Sequence, residues 1–271
     1  MAVPRMLRCP FFQQAFAWCV PIGGLGGLIG LGGGEFRLPV LMYVLEFDAK
    51  SAVPINLMVS LVTLGFAMVV RSWAVSADAI VPYLPEVIGL AAGGMVSASY
   101  GAQLVQRLTS TRLIRIIAVL LAGIGILMLG EVAYPFQYPA LVPDSATAHV
   151  VAGFTIGLGV GLVSSMLGVA GGELLIPTLI FVFGADIRTA GSASILISLG
   201  IVLVGIWRYW RLDAIPSGRG IKRIASAMAA GSILGAAIGG LMVAYAPVAV
   251  LKVVLGGVLI LAAGKTIASH R

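Results

Sequence analysis

Charge is what this chain has least of. Only 10% of its residues are Asp, Glu, Lys or Arg, whereas soluble domains carry about 25%; 60% are hydrophobic and the mean hydropathy is +1.09. That balance excludes an ordinary soluble domain and predicts an all-α, polytopic transmembrane protein. Cysteine is also scarce. Cys9 and Cys19 stand in no CxxC or Cys/His pattern, which excludes a disulfide framework and a zinc site. His149 and His270 are too few and too distant for a metal centre. P-loop, HExxH, GxSxG and dinucleotide fingerprints are missing from the sequence, so neither an enzyme nor a cofactor or metal is expected. The net charge of +7 does not indicate nucleic acid, because the cations are scattered among loop ends.

What is abundant is apolar sequence in long runs. Stretches near the ~20 residues needed to cross a bilayer fall at 12–31, 51–70, 84–106, 113–132, 147–168, 189–207, 222–245 and 247–265. The first follows Arg5 and Arg8 like a signal peptide, but no small-residue cleavage pattern follows, so it is read as an uncleaved span. Two shorter pieces, 35–47 and 173–185, each follow a glycine-rich break.

The chain is duplicated. Gly33-Gly34-Glu35 recurs as Gly171-Gly172-Glu173, an offset of 171 − 33 = 138 residues, and Pro39 recurs as Pro177. The same register pairs Gly30 with Gly168, Asp48 with Asp186, Ala52 with Ala190, Ser60 with Ser198 and Gly101 with Gly239. A register held this long marks an internal repeat. It divides the chain into a first repeat (1–132), an external linker (133–146) with Pro135, Pro139, Pro143 and Asp144, and a second repeat (147–271), all one membrane domain.

Loop cations test the topology. If the short pieces complete a crossing, each half makes five passes. Arg5, Arg8, Lys50, Arg107, Arg112, Arg115, Arg208, Arg211, Arg219, Lys222, Arg223, Lys265 and Arg271 then face the cytoplasm. Only Arg71, Arg188 and Lys252 face outward, and Arg37 lies in the membrane. Re-entrant short pieces give a weaker bias. An odd number of passes makes the halves inverted repeats, each with a discontinuous, Gly-rich first helix, as in many secondary transporters.

The candidate site follows from the breaks. Gly32, Gly33 and Gly34 in one half, and Gly171 and Gly172 in the other, interrupt a helix and leave the amides of the next helix start open. In hydrocarbon such a break survives only against protein or a water-filled cavity. Two positive helix starts meeting near the midplane would hold an anion; tight packing through small residues is the competing reading. Pro39 and Pro177 are expected in the first turns, where the missing amide costs nothing. Glu35 and Glu173 are intramembrane carboxylates, costly unless protonated, and suit either proton coupling and gating or capping of their own helices. Arg37 has Leu175 as its counterpart and is expected to contact the anion or, by preference, pair with Glu35. Asn56, Ser192 and Ser194 enter the following spans as pocket-lining groups or interhelical hydrogen-bond donors, with Ser51 and Thr189 as N-caps. Arg71-Ser72-Trp73 and Arg208-Tyr209-Trp210-Arg211 are read as interface anchors.

At Gly30 to Pro39 and Gly168 to Pro177 the chain resembles the TauE/SafE sulfite exporters, also called the four-toluene sulfonate uptake permease family. The resemblance covers nearly the whole chain. Ala52-Val53-Pro54-Ile55-Asn56 and Ala190-Gly191-Ser192-Ala193-Ser194 stand where the family has an Ala-x-Gly-Thr-Ser-like opening. Such membership implies a secondary transporter in the bacterial cytoplasmic (inner) membrane, exporting sulfite, sulfonates or related organosulfur anions by alternating access. Its expected partners are a small anion, protons, the lipid bilayer and a second copy of the chain in a homodimer. A passive anion channel and a carrier of a non-sulfur carboxylate are the alternatives.

Overall fold

The computed structural model describes residues 9–104, 145–268 and short pieces between 122 and 132. The span expected at 113–132 and the linker expected at 133–146 lie mostly outside the described residues, as do Arg5, Arg8, Arg107, Arg112, Arg115, His270 and Arg271. Among the described residues there are helices and no strands.

In the first half, α1 (Cys9–Leu25) runs into a π-helical turn (Gly26–Gly30). A short α2 (Gly34–Pro39) and a second π turn (Val40–Val44) follow, then α3 (Ala49–Ala74) and α4 (Leu84–Leu104). The second half repeats this order with α5 (Ala146–Leu167), α6 (Gly172–Phe181), α7 (Ile187–Arg211) and α8 (Arg219–Met242), and ends in α9 (Val248–Ala268). Five of these helices carry stretches long and apolar enough to cross a membrane: Ser51–Trp73, Val81–Tyr100, Ala146–Ser165, Ile187–Arg211 and Arg219–Met242.

The direction of each helix can be read from its contacts. Leu57 packs at Gly205 while Arg71 reaches Ser192 and Arg188 at the other end, so the equivalent helices α3 and α7 are antiparallel. Equivalent elements running in opposite directions make the halves inverted repeats. Along α1 and α8, Gly23 meets Ser232 and Gly27 meets Ala236, so these two are parallel. The guanidinium that bonds Thr63 also bonds Ser232, and Gly240 abuts Val70, so α3 is parallel to α8 as well. It follows that α1 and α3 run the same way, and the chain must return between them. It does so along α3: Gly32 lies by Leu64, Gly34 by Asn56 and Ser60, and Asp48 then caps the start of α3. The short glycine-led segment therefore runs antiparallel to α1 and α3, back to the end at which α3 starts.

The halves are interlocked rather than side by side. α1 packs on α8, and its counterpart α5 packs on α4, each along a seam of glycines. Gly89, Gly93 and Gly94 meet α5; Gly231, Gly235 and Gly239 meet α1. Small residues let these backbones approach closely, which in lipid replaces a hydrophobic driving force.

Two expectations change here. The N-caps are Asp48 and Asp186, whose carboxylates accept from the amides of Ser51 and of Arg188 and Thr189. Ser51 and Thr189 lie inside the first turn, and an acidic side chain at a cap suits the helix dipole better than a hydroxyl. Arg71 is no interface anchor: it is 1% exposed, while Trp73 beside it is 84% exposed and fits that role.

Candidate functional site: two glycine breaks on one pseudo-two-fold axis

Each break is built the same way. Gly33 (φ 71°) and Gly171 (φ 82°) are left-handed and directly precede α2 and α6, a conformation L side chains rarely tolerate. Neither helix start has a side-chain cap, and in α6 the third amide, of Leu174, turns back to the Gly171 carbonyl. Pro39 and Pro177 are the sixth residues of α2 and α6, not first-turn residues as expected. At that depth each proline removes the amide that would bond the carbonyl of Glu35 or Glu173. Only the first half widens into a π turn after its proline.

The breaks meet by reciprocal contacts. Asn56 Nδ2 donates to the Gly168 carbonyl at 2.8 Å, and Ser194 Oγ donates to the Gly30 carbonyl at 2.7 Å. Under the 138-residue offset these are one contact seen from both halves (56 + 138 = 194; 30 + 138 = 168). Gly34 against the Val169 backbone and Gly172 against the Leu31 backbone form a second such pair. Gly32 lies beside Ala170, its own counterpart, and Glu35 lies near Glu173, likewise its counterpart. Contacts between a residue and its own equivalent occur only on a two-fold axis. The glycine breaks and both glutamates therefore straddle the pseudo-two-fold of the molecule.

The glutamates are enclosed. Glu173 is 3% exposed, and Glu35 is half-buried through its stem and backbone only. Both Glu35 carboxyl oxygens and Oε2 of Glu173 are buried and meet no N–H or hydroxyl donor in hydrogen-bond geometry. The two acids that the repeat pattern singled out are thus brought together.

Two buried guanidiniums flank the axis. Arg37 donates Nη1 to Thr63 at 2.6 Å and Ser232 at 3.0 Å, and Nη2 to the Gly32 carbonyl at 2.5 Å and Ser60 at 2.8 Å. It does not pair with Glu35, because its planar fork is consumed by neutral oxygens around the break. Its Nε is buried without a partner. Arg71 donates to Ser192 and to the carbonyls of Gly27, Leu28 and Arg188, holding the π turn that ends α1 against the start of α7. Among the described residues neither arginine has a carboxylate within ion-pair distance; elsewhere His149 Nδ1 meets Glu86 Oε1, between α5 and α4. Neither guanidinium bonds a carboxylate directly, although Glu35 lies near Arg37 and Asp186 near Arg71.

The other polar residues are more occupied than expected. Asn56 spends its amide on Gly168 and Gly34, and Ser192 accepts from Arg71. Ser194 bonds backbone carbonyls of Gly30 and Gly191. All three are buried and brace the breaks from both sides. Ser60, Thr63, Ser232 and Arg71 were not singled out by sequence reasoning. The Ser60/Ser198 repeat match was the available signal for the first; Arg71 gave none, because an arginine at a span end normally marks the interface.

The family model described as sulfite exporter TauE/SafE matches residues 7–128 and 152–271, the two halves in turn. The chain belongs to the TauE/SafE family. No curated protein and no solved structure matches it. Like other TauE/SafE proteins it is a multi-pass membrane protein of the anion-exporter type.

Proposed function

We propose that this chain is a proton-coupled secondary transporter of the bacterial cytoplasmic membrane, exporting sulfite, sulfonates or related small organosulfur anions by alternating access. The observation that carries this reading is the meeting of two uncapped helix starts and two glutamates on the pseudo-two-fold axis. Gly32, Gly33, Gly34, Gly171 and Gly172 shape the break, and the helix starts after Gly33 and Gly171 would receive the anion. Arg37 contributes positive charge and a free Nε. Asn56, Ser192 and Ser194 hold the backbone around the anion, with Ser192 oriented by Arg71.

Ionised carboxylates at the axis repel an anion, so the anion enters when the glutamates hold a proton. That electrostatic exclusion is the coupling. In inverted repeats the same site opens to either face as the halves exchange conformations.

The test is flux of labelled sulfite, sulfate and small sulfonates in proteoliposomes, with and without an imposed pH gradient. Saturable flux that follows the gradient, and loses that dependence in E35Q/E173Q, is the expected result. Unsaturable, gradient-independent flux would make the protein a channel. Flux of a carboxylate in place of the sulfur anions would replace the substrate class.

A further inference from the structure

The two glycine seams are one seam built twice, and a single residue pair sets them apart. Gly93 abuts the Phe154 carbonyl where α4 meets α5, and Gly231 abuts the Phe16 carbonyl where α8 meets α1. The 138-residue offset relates the two contacts (93 + 138 = 231; 16 + 138 = 154). In the first turn of α4, Glu86 Oε1 hydrogen-bonds with His149 Nδ1 of α5. The equivalent positions of the other seam hold Ile224 and Phe11 (86 + 138 = 224; 11 + 138 = 149), both packed in an apolar cluster. The geometry of the seam therefore does not require a polar pair.

The pair is enclosed but incompletely satisfied. The Glu86 side chain is 3% exposed and that of His149 16%. Oε2 of Glu86 and Nε2 of His149 are nevertheless buried without a partner. A buried ion pair commonly holds no better than apolar side chains in its place, because both groups have given up water. If α4 and α5 part, all four polar atoms regain water, whereas Ile224 and Phe11 have nothing to regain. Parting is therefore less costly at α4–α5 than at α1–α8.

The pair also reaches the second return segment. The His149 ring lies 5.8 Å from that of Phe183, two residues after α6. The Tyr83 hydroxyl donates to the Gly184 carbonyl at 3.4 Å, tying the turn before α4 to the same place. Gly89 lies by Val150 and Gly94 by Gly157, so α4 and α5 are parallel and start at one end. The loop cations assign that end to the outside.

We propose that Glu86 and His149 form a releasable latch on the outer end of the α4–α5 seam, and that the core opens outward through this seam. Only the second clause rests on the proposed transport function. Released, the latch frees the ends of α4 and α5 together with the end of the return segment at Phe183.

The test uses the full-length protein in lipid vesicles and a membrane-impermeant maleimide. Leu90→Cys places a thiol one turn inward of Glu86, at a position with no exposure. With the natural pair, slow labelling from the outer face is expected, above the rate of protein lacking the added thiol. Glu86→Gln or His149→Gln strands the other member of the pair in the seam, so either should speed labelling at least about tenfold. E86I/H149F copies the apolar pair of the other seam and should slow labelling by a similar factor. Met228→Cys, the counterpart of Leu90→Cys (90 + 138 = 228), should label more slowly from the inner face than Leu90→Cys does from the outer. Equal rates with and without the pair, or a Met228→Cys thiol as reactive as that of Leu90→Cys, overturn the latch. If E86I/H149F fails to fold, the single variants decide, and a rate that either leaves unchanged overturns it. Flux of labelled sulfite should fall in E86I/H149F along with labelling; flux left unchanged while labelling slows overturns the outward-opening clause. If the natural protein moves no sulfite, the transport reading fails, while labelling still decides the latch.

Discussion

The two halves share a backbone plan down to single contacts, yet they solve the same polar problem differently. In the first half the carbonyl of Gly32 and the hydroxyls of Ser60 and Thr63 are gathered by Arg37. In the second half Leu175 stands in that place, and Ser198, the counterpart of Ser60, is buried without a partner. The return helices differ in the same direction. Leu174, Ile176 and Pro177 of α6 are buried, whereas Phe36, Leu38 and Pro39 of α2 are half-buried, and only α2 continues as a π turn. Duplication fixed the geometry of the break; divergence made one half closely packed and apolar, the other polar and looser.

The sharpest way to break the comparison is to give the first half the second half's residue. Arg37→Leu would leave one carbonyl and three hydroxyls without their charged donor inside the bundle. Each buried group left unsatisfied costs about 1–3 kcal/mol. We expect Arg37→Leu to be the most destabilising of these changes, measured by unfolding in detergent. An Arg37→Leu protein as stable as the natural one would mean that the network is incidental.

The crossed braces come next. Asn56→Ala strips two carbonyls, Gly34 and Gly168, of a donor, while Ser194→Ala strips chiefly Gly30. At about 1–3 kcal/mol for a buried group left unsatisfied, Asn56→Ala should cost roughly 2–3 kcal/mol and Ser194→Ala about 1 kcal/mol. Equal costs would show that the two braces are equivalent in energy as well as in position. A smaller effect is expected from the serine pair. Ser60→Ala removes an acceptor from Arg37 and should cost about 1–2 kcal/mol, whereas Ser198→Ala removes an unpaired hydroxyl and should be neutral or slightly stabilising. Destabilisation by Ser198→Ala would reveal a partner for its hydroxyl, such as a bound anion or water.

How much of this was legible follows the same division. Periodic features survive translation into sequence: the Gly-Gly-Glu repeat, its proline and the loop cations were enough for inverted halves and for a meeting of the two glycine breaks near the centre. Contacts that depend on chain direction in space were not. Arg37 next to Glu35 in sequence suggests an ion pair, but α2 descends along α3 and carries the guanidinium to Ser60, Thr63 and Ser232 instead. Arg71 read as an anchor because its burial arises from the far half, through Arg188 and Ser192. The braces Asn56 and Ser194 were visible as polar residues, but not that their targets are each other's glycine breaks.

The smallest effect probes the turn that ends each return segment. Glu46 and Gly184 are equivalent, and both are left-handed, with φ 56° and 73°. Each is followed by the same closing bond, from Phe47 to the Leu41 carbonyl and from Ala185 to the Leu179 carbonyl, both at 2.9 Å. The backbone therefore demands this conformation, whatever the side chain. A non-glycine residue pays about 1–2 kcal/mol there, against roughly 0.5–1 kcal/mol for the extra chain entropy that glycine loses on folding. Glu46→Gly should thus stabilise the protein by about 0.5 kcal/mol. The reverse change has open space around it, since nothing lies within 4 Å of a β-carbon built on Gly184. Gly184→Ala therefore isolates the backbone term and should destabilise by about 1 kcal/mol. If Glu46→Gly instead weakens the protein, the Glu46 carboxylate must contribute more than its strain costs, and the asymmetry between the halves extends to this turn.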